Sequence, residues 1–556
     1  MAKNLFTQIM LSVEGIQAYL FSTGKLKEMI GASELTSSFA DYALAYCTDK
    51  LKLKEVSAPN DLADWFVILQ KGAGTLRLLL PNKDLAKSLL NHMSHLAVEQ
   101  YVGFPLFGAM LECSDSSTEI NAKRTALSEI IAQKRATQAL PGRKVWPFVK
   151  IAPLDGLPAV EQDEDKKWIS IESLGRRKPK LLKQAREKFE KEVRASLADE
   201  PLMQGLEPVP VDDIDEMLKE SRVQKIALLH MDGNDLGNLF RAAAEKVQNK
   251  SFAEQNSTMR ALSNLVDTAN HYAFSQAMRA IIHKDLEKKL EDEEVISPRY
   301  IVPARPLVLA GDDLTIIIRA DLAFNFADTY AKSFQDYTKE QGTPMSVGGG
   351  MVIMPNGYPF TQAFLMAEDL TSNAKKFTTG KKNAAGVRPS SIDYLVITND
   401  VDDQLDTLRK TTFTAKDGSY LTGKPFICGV EPQAWSLDAK AYQPDASLAD
   451  VLKDAILLEK LLPAAQLRGA IEKCREGRAS AQRAWQKLWE NLVRGIGGHD
   501  KNAKASFERI FNQGNFFFAR QITPKEKQYV TLLGDYLEVR RLFFPIKEEI
   551  DRWRQA

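Results

Sequence analysis

Leu307-Val308-Leu309-Ala310-Gly311-Asp312-Asp313-Leu314-Thr315-Ile316-Ile317-Ile318 sets two adjacent carboxylates between apolar, β-branched runs. The pattern predicts a buried β-hairpin turning on Gly311, with both aspartates at the tip of a rigid scaffold. Adjacent ionised aspartates repel and raise each other's pKa, so the pair is costly on an apolar hairpin unless a cation neutralises it. Gly-Asp-Asp also occurs as an ordinary turn whose aspartates face water. What raises the pair above that is a second acidic cluster upstream. Lys225-Ile226-Ala227-Leu228-Leu229-His230-Met231-Asp232-Gly233-Asn234-Asp235-Leu236-Gly237 is an apolar strand ending in an acidic, glycine-bearing turn that leads into a helical pattern. Asp232, Asp312 and Asp313, with the backbone carbonyl of Gly233, form an oxygen-only set that suits Mg²⁺ or Mn²⁺ rather than zinc. Two such ions would neutralise charge developing on the attacking and leaving oxygens of nucleotidyl transfer, orienting a 3′-hydroxyl on the α-phosphate of a triphosphate. Lys375, in the helical stretch Ala367 to Lys376, and Lys381 beyond it are candidate phosphate contacts, although lysines there also complement a helix dipole. Gly348-Gly349-Gly350 lies in a strand, where missing side chains mark a bulge or the close approach of another group.

The elements that must position these residues follow a repeating order. A strand from Phe6 to Leu20, a helix from Lys25 to Tyr46, a hairpin from Trp65 to Leu80, a helix from Asp84 to Glu99 and a strand from Leu106 to Glu112 spell a ferredoxin-like unit. The order returns after Val223: a strand to Asp232, helices from Ser257 to His283, the Gly-Asp-Asp hairpin, a helix from Asp321 to Gln341 and a strand from Met345 to Met354. A duplicated fold is expected, in which one copy kept its carboxylates. Between the copies, a Pro-rich stretch precedes Arg176-Arg177-Lys178 and a charged helix from Lys180 to Arg194, whose interleaved glutamates predict a solvated face. Past Ile397 the pattern is helical to the end, with Ser447 and Thr523-Pro524 as helix starts. Trp485, Leu488, Trp489, Leu492 and Val493 make an apolar stripe expected in a bundle core, with Phe516-Phe517-Phe518 and Leu542-Phe543-Phe544 buried alongside. His499-Asp500 is isolated and receives no role. The expected fold class is α+β, in four domains spanning residues 1–113, 114–222, 223–400 and 401–556.

The chain has 556 residues, and an apolar content of 44% leaves ample material for several cores. Lysine plus arginine number 74 against 73 aspartate plus glutamate, so the net charge of +1 lacks the basic excess of a free-standing polynucleotide binder. Cys47, Cys113, Cys428 and Cys474 form no Cys-x-x-Cys pair, which predicts a reducing compartment and no structural zinc. With no signal-like start and no apolar run of spanning length, a soluble, cytoplasmic protein without a membrane partner is expected.

Asp232-Gly233-Asn234-Asp235-Leu236-Gly237, the Gly311-Asp312-Asp313 hairpin and Ala367-Glu368 through Ala374-Lys375, in that order, resemble the catalytic palm of the large subunit of type III CRISPR effector complexes. More distantly they resemble GGDEF and class III nucleotide cyclases. Gly15 to Leu20 and Lys25 to Ser33 are similar to the opening of that family's first, non-catalytic palm. The resemblance implies two ferredoxin-like palm domains packed face to face, a linker domain and a C-terminal helical bundle. Two ATP molecules would lie between the palms and be converted to cyclic oligoadenylate, with pyrophosphate release, when target RNA is bound. It further implies two Mg²⁺ or Mn²⁺ on Asp232, Gly233, Asp312 and Asp313. Nucleotide contacts would come from Gly311, Asn234, Asp235 and Lys375, and from Gly31 and Ser33 across the interface. Implied partners are other effector subunits with guide and target RNA, or further copies of the chain in a free-standing relative. No N-terminal HD nuclease domain is expected. Trp146-Pro147-Phe148 to Pro158-Ala159 resembles the family's zinc-ribbon segment without its cysteines, so no zinc is expected there. Asn234 stands where many relatives carry a second aspartate, and Ala310 replaces the first of two glycines. The alternative of another class is a catalytically silent scaffold of an RNA-guided complex; a template-dependent polymerase fits less well, because no basic duplex channel is evident.

Overall fold

The computed structural model describes residues 5–59, 63–72, 74–114, 117–137, 148–197, 200–203, 205–219, 224–291, 297–382, 386–397, 405–429, 447–495, 518–523 and 526–543. The chain opens with β1 (Phe6–Val13), α1 (Leu26–Ala45), β2 (Trp65–Gly72), β3 (Thr75–Leu80), α2 (Lys83–His95) and β4 (Leu106–Cys113). β1 pairs antiparallel with β3 and β4, and β2 with β3, so the order is β2-β3-β1-β4, with the short strand Lys54–Glu55 beyond β2. The strand expected to reach Leu20 stops at Val13, because Gly15, at φ 64, turns the chain into the short helix Ile16–Leu20. α3 (Ser117–Thr137) packs Leu127 and Ile131 on Met10 and Ala109.

α4 (Pro179–Ser196) keeps charged residues such as Lys183, Glu187 and Lys191 on the expected solvated face and buries the opposite one. Its Leu181 and Ala185 join the core around α1, and Phe189 and Val193 join the core of the second half, so one apolar stripe wedges between the halves. The basic residues ahead of it are absorbed locally: Arg177 pairs with Glu28 at 2.6 Å and Asp163 at 3.0 Å, and Arg176 lies over the Tyr19 ring.

The second half runs β5 (Lys225–Gly233), α5 (Leu236–Val247), α6 (Phe252–Glu291), β6 (Ala304–Ala310), β7 (Asp313–Arg319), α7 (Ala320–Glu340), β8 (Val347–Pro355), α8 (Phe360–Thr378), β9 (Ser391–Val396) and β10 (Phe426–Ile427). The sheet order is β6-β7-β5-β8-β9-β10. Its first four strands repeat the order and antiparallel sense of the first sheet, and β9 adds parallel to β8. Strand alternation sorts the side chains. Ala227, Leu229 and Met231, with Leu314, Ile316 and Ile318, join the core built with α6 and α7, whereas Ile226, Leu228, Ile317, Val352 and Met354 join the core of α8 and the first half. Phe21 stacks on Phe364 at 4.5 Å, and the Ser33 hydroxyl donates to the Leu307 carbonyl, closing the first half onto that second face.

Beyond it come α9 (Leu448–Leu461), α10 (Ala464–Arg475), α11 (Arg478–Gly495), an antiparallel pair Phe518–Thr523 and Glu526–Val530, and α12 (Leu533–Phe543). Ser447 caps α9, accepting from the Asp450 N–H at 3.1 Å. Thr523 pairs with Glu526 as strand ends, which replaces the second expected helix start; Pro524 and Lys525 lie outside the described residues. Trp485 stacks on Trp489 at 5.6 Å beside buried Leu488, in a core continuous with that of the second sheet. Trp146, Pro147, His499, Asp500, Phe516, Phe517 and Phe544 lie outside the described residues. The four cysteines are buried and free, and among the described residues no helix is long and apolar enough to cross a membrane.

Candidate active site

The acidic residues arise from strand alternation at one sheet end. Along β5, Ile226, Leu228, His230 and Asp232 share a face, and along β7 so do Asp313, Thr315 and Ile317. The β5–β7 register pairs Thr315 with His230 and Leu314 with Met231, so it runs on to bring Asp313 opposite Asp232. Between β6 and β7 the chain turns through Gly311 and Asp312 alone, with Ala310 paired to Asp313. Gly311 has φ +60 at the first loop position, which a two-residue corner of this hand reserves for glycine. The Asp312 carboxyl comes beside that of Asp232, near enough for one to bond the other when protonated. Two segments distant in sequence thus meet at the same point.

Electrostatics there are strained by design. Burial, then the bond and charge of Asp232, pushes Asp312 up to about 7; burial, then the charges of Asp232 and Glu368, pushes Asp313 up to about 7. His230 Nδ1 lies 3.0 Å from the Thr315 hydroxyl and 3.3 Å from Oδ1 of Asp313, and burial lowers its pKa against the pull of Asp232 and Glu368. Burial also raises Glu368.

Lys375 on α8 is the nearby cation. Its ammonium donates to Oδ2 of Asp232 and, at 2.8 Å, to the Gly233 carbonyl. β8 makes room for it. Gly348 and Gly350 pair with Asp232 and His230 on the same face, and a Cβ on Gly348 would meet Lys375 Cγ at 2.6 Å. A Cβ on Gly350 would lie 2.1 Å from the Ala367 carbonyl, so the glycine run marks the close approach of α8.

The remaining expected residues are distributed as follows. Asn234 donates to the Ser346 hydroxyl at 2.9 Å, and its buried Oδ1 accepts no bond among the described residues. Asp235 sits at φ 57 ahead of α5, paired with Arg388 at 3.3 Å. Lys381 holds its ammonium 3.6 Å from the Phe377 ring, past the end of α8. Gly31 packs against the Arg176 carbonyl, which a Cβ would meet at 1.8 Å, so it serves helix approach; Ser33 reaches β6 through Leu307. Sequence reasoning passed over His230, Arg388, Asp267, Asn270 and Tyr330. Only Asn270 left a signal, a polar residue on the apolar stripe Val266, Ala269, Ala273 and Ala277.

As they stand, the described residues include no group of three or more His, Cys, Asp or Glu side chains set to hold an ion. The donor chemistry nonetheless fits a hard divalent cation: three carboxylates and a carbonyl, all oxygen, with Oδ1 of Asp313 buried and accepting no hydrogen bond among the described residues. The Lys375 ammonium, bound to one carboxylate oxygen and the Gly233 carbonyl, is a protein-borne stand-in at two of those oxygens.

The family model described as Cas10/Cmr2, second palm domain, matches residues 225–385, from the start of β5 to just past α8. Residues 225–385 are thus similar to a Cas10/Cmr2 second palm domain. The carboxylates, Lys375 and the glycine run of β8 all lie within the matched residues. Similar solved structures include a Csm1-Csm4 cassette in complex with pppApApA, at 14% identity and a TM-score of 0.47, covering 97% of this chain and 69% of that one. An apo Csm1-Csm4 cassette matches at 14% identity and a TM-score of 0.41, covering 70% and 54%. The Csm1-Csm4 subcomplex of the type III-A CRISPR-Csm interference complex matches at 13% identity and a TM-score of 0.38, covering 73% and 56%. The matched region spans about half the length of several of these chains, 54% for a Csm1-Csm4 cassette in complex with cA4. No curated protein matches the chain by sequence.

Proposed function

We propose that the protein is a metal-dependent nucleotidyltransferase of type III CRISPR or related antiviral signalling. It converts ATP to a 3′–5′ linked, cyclic oligoadenylate-type messenger and releases pyrophosphate. The observation that carries this is the meeting of Asp232 with the Asp312–Asp313 corner, inside a domain that matches the Cas10/Cmr2 second palm. Asp232, Asp312, Asp313 and the Gly233 carbonyl would hold Mg²⁺ or Mn²⁺, which supply charge neutralisation at phosphate and activation of a hydroxyl. Lys375, a flexible point charge, exchanges its carboxylate partner for phosphate oxygens when the triphosphate arrives. His230, kept neutral by burial, stands behind Asp313 without adding a charge that would compete for the cation. Gly311, Asn234 and Asp235 line the nucleotide side of the β5 and β6 ends, with Lys381 further along and Ser33 and Gly31 on the opposing first half, read here as a non-catalytic palm. The partners are other effector subunits carrying guide and target RNA.

The test is incubation of the purified protein, with its RNA-bearing partners, with Mg²⁺ or Mn²⁺ and each nucleoside triphosphate. Pyrophosphate release from ATP that disappears in the double variant Asp312→Ala, Asp313→Ala is expected. Release that persists in that variant removes the carboxylates from the mechanism. The scaffold reading is favoured by Asn234, an amide where many relatives have a carboxylate. Co-purification of RNA and partner subunits with no turnover of any triphosphate would select it.

A further inference from the structure

We propose that Asp267 and Asn270 on α6, with Tyr330 on α7 behind them, are positioning residues that hold the Gly311-Asp312-Asp313 corner and so set the distance of its carboxylates from Asp232. The proposal deepens the functional reading above and rests on it for its consequence in cation binding.

The corner has few restraints of its own. It tips a hairpin whose outer member, β6, is the edge strand of the sheet, and the β6–β7 register slips between Pro306 and Val308. An edge strand with a bulge fixes its end loosely. The restraint comes from α6. The Gly311 N–H donates to Oδ1 of Asp267 at 2.9 Å, and the Asn270 amide donates to the Gly311 carbonyl at 3.0 Å and the Asp313 carbonyl at 3.1 Å. Three backbone groups that bracket both aspartates are therefore tied to side chains three residues apart on one helix face.

Side-chain chemistry makes these choices specific. Both carbonyls can only accept, so the amide nitrogen must face them and Oδ1 of Asn270 must face away. There it receives the Tyr330 hydroxyl at 2.8 Å, which locks the amide the right way round. Aspartate could not donate to the carbonyls, and an apolar residue would leave them unpaired. Asn270 and Tyr330 are both fully buried, so water cannot substitute. Burial and the charges of Asp313, Asp312 and Asp232 hold the Tyr330 phenol well above its usual pKa, so it keeps its proton.

α6 itself is anchored on both sides. Near its start Asn256 donates to the Ile68 carbonyl at 3.2 Å and Arg260 pairs with Glu55 at 3.1 Å, both in the first half. Toward its end Asp285 binds Arg319 at the far end of β7. One helix thus references the corner to the base of its own strand and to the opposing sheet.

The test compares Asn270→Ala, Asp267→Ala, Asp267→Asn, Tyr330→Phe and, as a control two turns along α6, Met278→Ala. Two readouts are taken on the full chain: amide hydrogen exchange of peptides covering residues 304–319 in chelator, and Mn²⁺ affinity by electron paramagnetic resonance. Exchange at the corner is expected to speed by about ten-fold or more in Asn270→Ala and Asp267→Ala, and by less in Tyr330→Phe. Asp267→Asn, which keeps an acceptor oxygen, should restore wild-type exchange. Mn²⁺ affinity should fall about ten-fold with Asn270→Ala and stay unchanged in Met278→Ala, even where the latter lowers global stability as much. If Asn270→Ala does not fold, Tyr330→Phe and Asp267→Ala carry the same comparison. Unchanged exchange at the corner in the Ala variants, or equal loosening and equal Mn²⁺ loss in Met278→Ala, overturns the proposal. Selective loosening of the corner in the variants, with a wild-type protein that itself binds no Mn²⁺, upholds the brace and refutes the metal-dependent reading instead.

Discussion

Replacing Asp313 with asparagine is expected to stabilise the metal-free protein above neutral pH. The Asp313 carboxyl is lifted from 3.8 to about 7 by burial and then by the Asp232 and Glu368 charges. Between those values the folded chain holds a proton that the unfolded chain has released. Asp313 therefore makes folding progressively less favourable as pH rises through that window, and its full penalty is present above it. A displacement of this size corresponds to roughly 4 kcal/mol for an isolated, fully desolvated group. Asp313 is 30% exposed and shares its repulsion with Asp312, so we expect about 1–2 kcal/mol from this residue alone. The amide cannot ionise, and little is lost on the other side, because Oδ1 of Asp313 accepts no hydrogen bond among the described residues. The assay is thermal or urea unfolding in chelator, comparing variant with wild type so that other titrating groups cancel. A gain of about a few degrees in midpoint is expected near pH 8, shrinking to about a third of that near pH 5. Adding Mn²⁺ near pH 8 should reverse the order, since a cation that binds only the folded wild type stabilises it by mass action. A difference that is absent near pH 8, or equally large near pH 5, would refute the view that these carboxylates confront one another in the fold.

Two glycines two residues apart should behave differently. At Gly350 a Cβ meets the Ala367 carbonyl and the Thr371 N–H, both backbone, so Gly350→Ala should lower stability by roughly 1–3 kcal/mol in unfolding measurements. At Gly348 it meets the flexible Lys375 stem and, at 3.3 Å, the Asn234 Oδ1, side chains rather than backbone, so Gly348→Ala should fold normally yet displace the ammonium from Asp232, seen as altered triphosphate binding. Arg319 is buried between Asp285 and Asp321, and Asp285→Ala should cost about 3 kcal/mol or more, read by urea unfolding, because it leaves that charge half-paired. Ser447→Ala removes the α9 cap and should cost about 1 kcal/mol in the same measurement.

Local chemistry was legible wherever it depends on neighbours in the chain. Apolar alternation marked β5, β6 and β7, glycine marked the corner, serine marked the start of α9, and paired carboxylates at strand ends marked the acidic centre. Each of these is dictated within a few residues by backbone sterics, side-chain period or the cost of burying charge. The helix start expected at Thr523 was misread because Thr523 and Glu526 also suit paired strand ends, and pairing chooses between the two. His230, Asp267 and Tyr330 were invisible for a stronger reason. Even Asn270, whose own helix shows only a polar residue on an apolar stripe, acquires its role only when α6 sets its amide against two carbonyls 41 and 43 residues away. The sequence by itself determined which groups could do chemistry and on what kind of element each would sit. Tertiary structure decided how far apart they are held, because distances between segments are set by side chains that bond across the fold and leave no period or spacing in the chain.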